Sequence, residues 1–494
     1  MVLTKTDFKY YLDCPESLWL LKNKPKLYPN GEFSLFAEKL IQEGYEVEAY
    51  AKQLFAGGLD LPEHASPDDT KRALKSDHSS YFQPSFVTKK NTFARIDILE
   101  RLSDGTWHIY EVKSSTSIKT DRKHKQLDDA CFQKHVLTEC GYEVSKVSII
   151  YLNKDYIKQG EIIPHELLKI TDVTNELDIV YSSVVNQINA ALKFINKEVI
   201  DESVCSCIYK TRSNHCDAFE YFNATVPDYS IYEIVRISAK KVGLLLDNGQ
   251  SAMMDVPKDF ELNANQQSQI ESLIHDRPIV SENNIQIELE RLKFPLHFID
   301  YETYASATPR LDGLSPHKHL PFQVSIHTLS EEGTLTHFEY LLDSMKMPID
   351  MLREMEEFTG TIGTFVSWHA SFEIGRNKDL MEWIPKFYSY LSYINEHTFD
   401  LEKIFKNDYI DFRFHGSSSI KKVLPVLCPD ISYSELDVNN GTMALDTWGR
   451  MILDPNFNED VEATRHDLLE YCKMDTYAMV KIYDKLRGIL DFEK

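Results

Sequence analysis

The stretch FPLHFIDYETY, residues 294–304, has the apolar and aromatic composition of a buried strand but carries two acidic residues. Side chains alternate between the two faces of a strand, so Asp300 and Glu302 lie on the same face. Neighbouring carboxylates repel each other and resist burial unless a cation, commonly a metal ion, lies between them. The stretch therefore predicts either a metal-binding strand or a partly exposed edge strand with solvated acids.

The composition is that of a folded protein, and the net charge argues against binding nucleic acid mainly through phosphate contacts. The chain has 494 residues, 43% of them hydrophobic, and a net charge of −23. This charge argues against coating nucleic acid through many phosphate contacts, but it is compatible with an enzyme that has a local basic groove. No run approaches the roughly 20 apolar residues of a membrane helix, and the acidic start of the sequence fits no signal peptide. We expect a cytoplasmic protein without a membrane partner.

The length predicts more than one domain. We expect an α/β fold in three parts, a first α/β domain at 1–216, a small connector at 217–290 and a second α/β domain at 291–494. Within the connector, Asp247-Asn248-Gly249 predicts the turn of a β-hairpin, and a glutamine-rich helix follows. The segment at 465–486 has apolar residues at helical spacing and predicts a long helix.

The first domain carries an acidic pattern on two consecutive β-rich runs. Asp97 lies in ARIDILE, and Glu111 and Lys113 lie in YEVKSS, with a turn signal between the two runs. Glu111 and Lys113 share a strand face, and a hairpin would bring Asp97 towards them. Two carboxylates and an ammonium can hold Mg²⁺ or Mn²⁺ and position a water for phosphodiester hydrolysis. The alternative is a cross-strand ion pair on an exposed sheet face.

The region up to residue 216 resembles the RecB-type nucleases of the PD-(D/E)xK superfamily, whose core pattern is matched by Asp97, Glu111 and Lys113. The resemblance implies a restriction-endonuclease-like fold and a nuclease site. It also implies a glutamine from the helix after the Glu-x-Lys strand, for which Gln133 is the candidate. A further metal ligand would come from an upstream helix, for which Glu43 is the candidate.

Four of the eight cysteines form a long-range pattern. Cys205, Cys207 and Cys216 crowd together, and Cys14 stands alone near the start. A disulfide framework is not expected in a cytoplasmic chain. Several RecB-type nucleases bind an iron–sulfur cluster with one N-terminal and three C-terminal cysteines, so the resemblance implies a 4Fe–4S cluster here. The Cys-x-Cys spacing departs from the usual one, and a zinc site or incidental thiols are the alternatives.

Further acidic residues in the last domain can join the pair on the opening strand. In YCKMD, Tyr471 and Asp475 are four residues apart and lie on one face of the predicted helix. In WHASFE, Glu373 follows a buried strand. Carboxylates from a strand, a strand–helix junction and a late helix can converge, and a pair of metal ions needs such a cluster. Tyr471 could then orient an attacking water, whereas an ordinary helix with one aromatic core residue and one solvated acid is the alternative.

Residues 291–494 resemble the DnaQ-like exonucleases of the RNase H-like fold, in the variant whose last motif is Tyr-x-x-x-Asp. The middle motif of that family, Asn-x-x-Phe-Asp, reads His-Ala-Ser-Phe-Glu here, and Asp400 is a competing carboxylate. The resemblance implies binding of Mg²⁺ or Mn²⁺ by the acidic residues of the three motifs. The matching residues are Asp300, Glu302, Glu373, Tyr471 and Asp475.

Over its full length the chain resembles an uncharacterised bacterial family that joins these two modules. Membership implies nuclease action on nucleic acid but no settled substrate. We expect a metal-dependent nuclease with two candidate sites and with DNA rather than RNA as its substrate, and the DnaQ likeness implies 3′-to-5′ trimming at the C-terminal site. The alternative is a nucleic-acid-binding or interaction scaffold with one or both sites inactive. Tyr45, found where a metal-binding histidine is expected, motivates this alternative. A third possibility is a single active C-terminal site, with the first module holding the strand.

Overall fold

The chain folds into two units, and each contains β-sheets packed against helices, so the predicted α/β class is confirmed. The computed structural model describes residues 1–29, 35–62, 64–121, 124–433 and 436–491. The first unit comprises Met1–Thr225 and Ser306–His317, and the second comprises Val226–Ala305 and Lys318–Lys494. Residues 226–290, expected to be part of a connector, thus pack with the second unit.

The first unit begins with a two-residue strand and two helices, and the remaining strands and helices follow, with five consecutive strands between Ser80 and Lys113. Its strands are β1 (Leu3–Thr4), β2 (Leu59–Asp60), β3 (Ser80–Phe82), β4 (Ser85–Val87), β5 (Thr92–Arg95), β6 (Ile98–Arg101), β7 (Trp107–Lys113), β8 (Val144–Leu152) and β9 (Leu168–Asp172). Its helices are α1 (Lys5–Asp13), α2 (Pro15–Asn23), α3 (Leu35–Lys52), α4 (Pro67–Ala73), α5 (Gln126–Glu139), α6 (Pro164–Leu167), α7 (Thr174–Ile195) and α8 (Phe219–Phe222). Short 3₁₀ helices occupy Ser206–Tyr209 and Arg212–Asn214.

Strand β7 lies inside the larger sheet of this unit, whose order is β2-β3-β6-β7-β8-β9. It pairs antiparallel with β6, as the predicted turn requires, and parallel with β8. Trp107 and Ile109 point into the main core, whereas Tyr110 packs on the other face with Val47 of α3. Alternation therefore directs Glu111 to the face of Trp107 and Ile109. Strands β1, β5 and β4 form a second, small sheet.

A segment from the later part of the sequence, 306–317, completes the first unit. The Arg310 guanidinium donates two hydrogen bonds, of 2.8 and 2.7 Å, to the Glu46 carboxylate on α3. The His317 imidazole Nε2 donates to the carbonyl of Ser114, 2.6 Å away, at the end of β7. The segment therefore holds the two elements that carry Glu43 and Lys113.

The second unit contains the remaining strands and helices. Its strands are β10 (Ile279–Val280), β11 (Leu296–Tyr304), β12 (Leu320–Leu329), β13 (Leu335–Leu341), β14 (Thr364–Ser367), β15 (Thr398–Asp400) and β16 (Tyr409–Ile410). Its helices are α9 (Ala239–Asp247), α10 (Ala264–His275), α11 (Glu282–Glu290), α12 (Ile349–Thr359), α13 (Ser371–Trp383), α14 (Tyr388–Glu396), α15 (Glu402–Asn407), α16 (Ile420–Leu427), α17 (Gly441–Leu453) and α18 (Val461–Asp491). Its 3₁₀ helices are Ile231–Glu233, Met253–Asp255, Pro385–Phe387 and Phe412–Phe414.

Strand β11, which contains the opening stretch, is the central strand of the sheet β13-β12-β11-β14-β15. It pairs antiparallel with β12 and parallel with β14, so an exposed edge strand is excluded. Phe298 packs into the core that includes α18, whereas Ile299 and Tyr301 pack into the core on the opposite face of the sheet. Alternation therefore turns Asp300 and Glu302 towards the α18 side.

The predicted C-terminal helix is confirmed as α18, which has 31 residues and packs against β11 and β12. Its buried residues Leu468, Tyr471, Cys472 and Met479 recur at helical spacing. Among the described residues, none of the helices combines the length and the apolar character needed to cross a membrane.

The predicted hairpin at Asp247-Asn248-Gly249 is wrong, because these residues end a helix. Asp247 is the last residue of α9, and Gly249 has a φ of 75°. The Gly249 amide donates to the Leu246 carbonyl at 2.8 Å, and the Gln250 amide donates to the Leu245 carbonyl at 2.9 Å. This pattern closes a helix with a left-handed glycine. A hairpin turn also needs a residue with positive φ, so the local sequence does not distinguish a hairpin turn from a helix end. The predicted glutamine-rich helix is present as α10.

A buried histidine on β11 makes the stability of the second unit depend on pH. His297 is 1% exposed, its Nδ1 lies 2.9 Å from Thr328 Oγ1, and its Nε2 donates to the Ile362 carbonyl at 3.2 Å. Burial lowers the pKa of His297 to about 4. The unfolded chain therefore binds a proton at a higher pH than the folded chain does. The stabilisation is complete above about pH 6.5 and is lost as the pH falls towards 4.

We expect His297→Gln to weaken this pH dependence. Between pH 7.5 and 4.5 the wild-type free energy of unfolding, measured with urea, should fall by about 2–3 kcal/mol more than that of the variant. Comparing the two proteins cancels the contribution of the acidic residues. Equal losses of stability in both proteins would contradict the assignment.

Candidate functional site

Three acidic side chains of the second unit converge on one point. Asp300 and Glu302 come from β11, and Asp475 comes from α18, which packs on that face of the sheet. One carboxylate oxygen from each residue lies within 4.8 Å of the others, and Glu302 and Asp475 are buried. The predicted approach of these three residues is therefore present. Oxygen ligands at such separations suit Mg²⁺ or Mn²⁺.

The electrostatics of this cluster favour a bound proton or a cation at the carboxylates. Burial, followed by the charge of Asp475, raises the pKa of Glu302 to about 8. Burial raises the pKa of Asp300 well above its ordinary value, and Asp475, Glu302 and Glu373 add to the shift. Repulsion between neighbouring anions in a poorly solvated place produces such shifts. A divalent cation between the oxygens would remove the penalty, so these residues fit a metal.

Glu373 lies at the margin of the cluster. It occupies the first turn of α13 directly after β14, is buried, and accepts a hydrogen bond from the Ser367 hydroxyl at 3.3 Å. Its charge acts on Asp300 and Glu302, but it is not one of the three closest carboxylates. Asp400, at the end of β15, accepts a hydrogen bond from the His369 amide at 3.1 Å. Glu373 thus faces the cluster more directly than its competitor.

Two tyrosines, Tyr471 and Tyr433, lie beside Asp475. Tyr471 is almost fully buried on α18, and burial, followed by Asp475, raises the pKa of its hydroxyl. The Tyr433 hydroxyl donates a hydrogen bond of 2.6 Å to Asp475 Oδ1. The sequence predicted Tyr471 and missed Tyr433, because Tyr433 lies in an irregular segment without a periodic pattern. Cys472, also missed, places its thiol 3.8 Å from Asp300 Oδ2.

The ammonium of Lys421 lies beside the same cluster. It is 5.3 Å from the ring centre of Tyr433 and 5.2 Å from that of Tyr471, within cation–π range. Burial lowers the pKa of Lys421, and the charges of Asp475, Glu302 and Asp300 oppose that shift. In the sequence, Lys421 lies in the run HGSSSIKKVLP, and no pattern in that run relates the lysine to the acids.

The acidic pattern of the first unit also converges. The Val112 amide of β7 donates to Asp97 Oδ2 at 2.8 Å. Glu111 is 1% exposed, and its Oε1 accepts hydrogen bonds of 2.6 Å from both Lys113 and Lys5. Burial and then the charge of Glu111 raise the pKa of Asp97 to about 7. Burial would also raise the pKa of Glu111, but the two ammonium groups outweigh it and lower that pKa.

Helix α5 supplies two further polar side chains to this site. Gln133 donates its amide proton to Glu111 Oε2, and Lys113 donates to Asp129 Oδ2 at 3.0 Å. Within the described part of the chain, the buried atoms Asp129 Oδ1 and Gln133 Oε1 have no hydrogen-bond partner. Unpartnered buried acceptors suit a cation or an ordered water. The residue pattern did not predict Lys5, which comes from α1.

Glu43 is buried on α3, the helix that packs against β7. Its carboxylate forms an ion pair of 2.5 Å with Lys39. Among the described residues, Glu43 does not form a group of three close ligands with Asp97 and Glu111. Tyr45 on the same helix is 59% exposed. A role for Glu43 in metal binding stays a prediction and requires release of Lys39.

The four cysteines of the long-range pattern come together. Cys14, Cys205, Cys207 and Cys216 have sulfur atoms within 4.8 Å of one another, and Cys205 and Cys216 are 4.0 Å apart. None of them forms a disulfide. Four thiols at one point are a typical metal-binding set. The four thiols could therefore hold a metal centre.

Polar groups surround the cysteine cluster. The Asn223 side-chain amide donates to Cys205 Sγ at 3.2 Å. The Cys14 thiol donates to Glu16 at 3.4 Å, and the same carboxylate accepts the Ser206 hydroxyl at 2.9 Å. Outer contacts of this kind orient metal ligands. They join the first two helices of the unit to its later cysteine segment.

Comparisons with known proteins identify relatives without an assigned activity. The profile of a family described as a domain of unknown function (DUF2779) matches residues 297–419. "Uncharacterized protein MG366 homolog" of Mycoplasma pneumoniae is 27% identical over 225 residues, which cover 40% of this chain and 33% of that protein. "Uncharacterized protein UU173" of Ureaplasma parvum is 24% identical over 243 residues, covering 41% of this chain and 33% of that protein. The chain spans about a third of the length of these relatives.

We expect Cys14→Ser to remove a metal centre. Protein purified without oxygen should contain iron with visible absorbance if a cluster is bound, or one zinc per chain if a single ion is bound. Loss of one thiolate should lower the metal content and the melting temperature together. Cys140→Ser, outside the cluster, serves as the control and should change neither quantity. Wild-type protein free of both metals would contradict a metal centre.

Proposed function

We propose that the protein is a divalent-metal-dependent nuclease whose principal site is the acidic cluster of the second unit. The observation that carries the proposal is the convergence of Asp300, Glu302 and Asp475 within 4.8 Å. Three converging acids, two of them buried, are unfavourable in a structural core and well suited to a metal. The similarity of 291–494 to DnaQ-like exonucleases supplies the reaction class.

Asp300, Glu302 and Asp475 would hold the metal ions, and Glu373 would join them from the edge of the site. Divalent cations bound there supply Lewis acidity and lower the pKa of a bound water. Tyr471, whose hydroxyl lies beside these acids, orients the attacking water. Tyr433 holds Asp475 Oδ1 through its 2.6 Å hydrogen bond and so fixes that carboxylate.

The first unit would provide a second, RecB-like site. Asp97 and Glu111 would bind the metal there, with Gln133 and Asp129 presenting their unpartnered oxygens. Lys113 would hold the water or the phosphate. The four cysteines would join the two ends of this unit through a metal centre, either a 4Fe–4S cluster, as the RecB likeness implies, or one zinc ion.

One observation favours a different function for the first unit. Two ammonium groups already occupy Glu111 Oε1, and Gln133 occupies Oε2. A carboxylate neutralised in this way gains less from a metal. The second candidate is therefore a protein with one active site, in which the first unit grips the nucleic acid without cutting it.

The substrate proposed for the C-terminal site is a DNA strand trimmed from its 3′ end, and the assay must include RNA. Asp300→Asn should lower the rate of release of end-labelled nucleotides at least 100-fold, because a lost metal ligand removes several kcal/mol of transition-state stabilisation, about tenfold in rate per 1.4 kcal/mol. Asp97→Asn tests the first site in the same assay. Asp430→Asn, at an exposed acid, is the control.

Each outcome of that assay has a distinct meaning. Loss of activity in Asp300→Asn alone supports one active C-terminal site, and separate losses in both variants support two sites. Full activity in the double variant, or no Mg²⁺- or Mn²⁺-dependent cleavage of any strand by the wild type, would contradict the proposed function.

A further inference from the structure

Lys421 is held beside the acidic cluster without being paired to it. Its ammonium donates one hydrogen bond, of 2.6 Å, to the backbone carbonyl of Asn439. The rings of Tyr433 and Tyr471 lie 5.3 and 5.2 Å away. Within the portion of the chain that the structure describes, it forms no ion pair and no other hydrogen bond. Among the described residues, two of its three N–H donors are therefore without an acceptor.

This arrangement is unusual for a lysine beside three carboxylates. The charges of Asp475, Glu302 and Asp300 all act on Lys421, yet none of these side chains approaches within ion-pair distance. The lysines at the acidic site of the first unit behave differently, since Lys5 and Lys113 contact the Glu111 carboxylate directly. A half-buried ammonium with donors to spare favours an acceptor that comes from outside the protein.

Contacts within the protein hold Lys421 in place. The carbonyl of Asn439 and the rings of Tyr433 and Tyr471 contact its ammonium, so its position does not depend on a ligand. Gly441, the first residue of α17, also borders the acids, since a Cβ there would lie 3.4 Å from Glu302 Oε2 and 3.9 Å from the Tyr471 hydroxyl, at ordinary van der Waals distance.

We propose that Lys421 is a catalytic residue of the C-terminal site and binds the scissile phosphate of a nucleic acid strand. The proposal rests on the proposed nuclease function. In the reaction a water oxygen forms a bond to phosphorus, and the bond from phosphorus to the 3′ oxygen of the preceding nucleotide breaks. The water proton ends on that 3′ oxygen, giving a 5′-mononucleotide and a strand shortened by one residue. The free N–H donors of Lys421 stabilise the charge that grows on the phosphate oxygens.

The neighbouring residue provides a matched control. Lys422 is exposed on the same helix, α16, whereas Lys421 is partly buried. Lys421→Met removes the donors and keeps most of the side-chain volume, and Lys422→Met makes the same change one residue along. Lys421→Arg keeps a positive charge with N–H donors.

The test measures three quantities for each variant. These are kcat/KM on a single-stranded DNA oligonucleotide, the affinity for thymidine 5′-monophosphate in Mn²⁺, and the affinity for Mn²⁺ alone. Lys421→Met should lower kcat/KM about 100-fold and weaken the nucleotide about tenfold. It should bind Mn²⁺ at least as tightly as wild type, because a positive charge beside the cation site is gone. Lys421→Arg should recover most of the loss, and Lys422→Met should match wild type.

Loss of Mn²⁺ affinity in Lys421→Met would overturn the proposal, because it would show that Lys421 only maintains the carboxylate cluster. An unchanged nucleotide affinity would overturn it as well. The nucleotide measurement decides the role of Lys421 even if the wild type hydrolyses nothing, a result that would instead remove the proposed function.

Discussion

The main electrostatic constraint on the second unit is the unfavourable free energy of placing several carboxylates close together in a poorly solvated site. Asp300 and Glu302 on the central strand and Asp475 on the helix that covers it lie within 4.8 Å. Burial, and then repulsion between the neighbouring carboxylates, raises the pKa values of Asp300 and Glu302. Bound protons or a cation would relieve this penalty.

The two acidic sites of the chain meet this constraint in different ways. In the first unit, Lys5 and Lys113 place ammonium groups on Glu111 and lower its pKa. In the second unit, the Lys421 ammonium is near the acids but forms no ion pair with them, and it donates its hydrogen bond to the backbone carbonyl of Asn439. The Glu111 carboxylate is thus largely neutralised by lysines of its own chain, whereas no described lysine or arginine forms an ion pair with Asp300, Glu302 or Asp475. This difference makes the second site the stronger candidate for metal chemistry.

The sequence predicted those parts of the sites that follow from local periodicity. The i, i+2 spacing placed Asp300 with Glu302, and the four-residue helical spacing placed Tyr471 with Asp475. The α/β class also followed from the alternation of β-rich and helical segments. Lys5, Lys421 and Tyr433 escaped prediction, because each reaches its site through tertiary packing from a segment distant in sequence. The turn signal ending at Gly249 failed for another reason, since a hairpin and a helix end share one backbone conformation.

The interleaving of the two units in sequence was also beyond local patterns. The segment 306–317 follows directly after β11, yet Arg310 and His317 bind elements of the first unit. The periodicity of apolar residues in a sequence does not show against which hydrophobic core a loop packs. The first unit therefore consists of two separate segments of the sequence, and no single boundary in the sequence separates the two units.

The most direct test of the account is anomalous diffraction from crystals grown with Mn²⁺, recorded at the manganese absorption edge. Manganese density is expected among the carboxylates of Asp300, Glu302 and Asp475, and this density should be lost in Asp300→Asn. An acidic cluster that stays free of manganese, at concentrations that fill other sites in the same crystal, would contradict it.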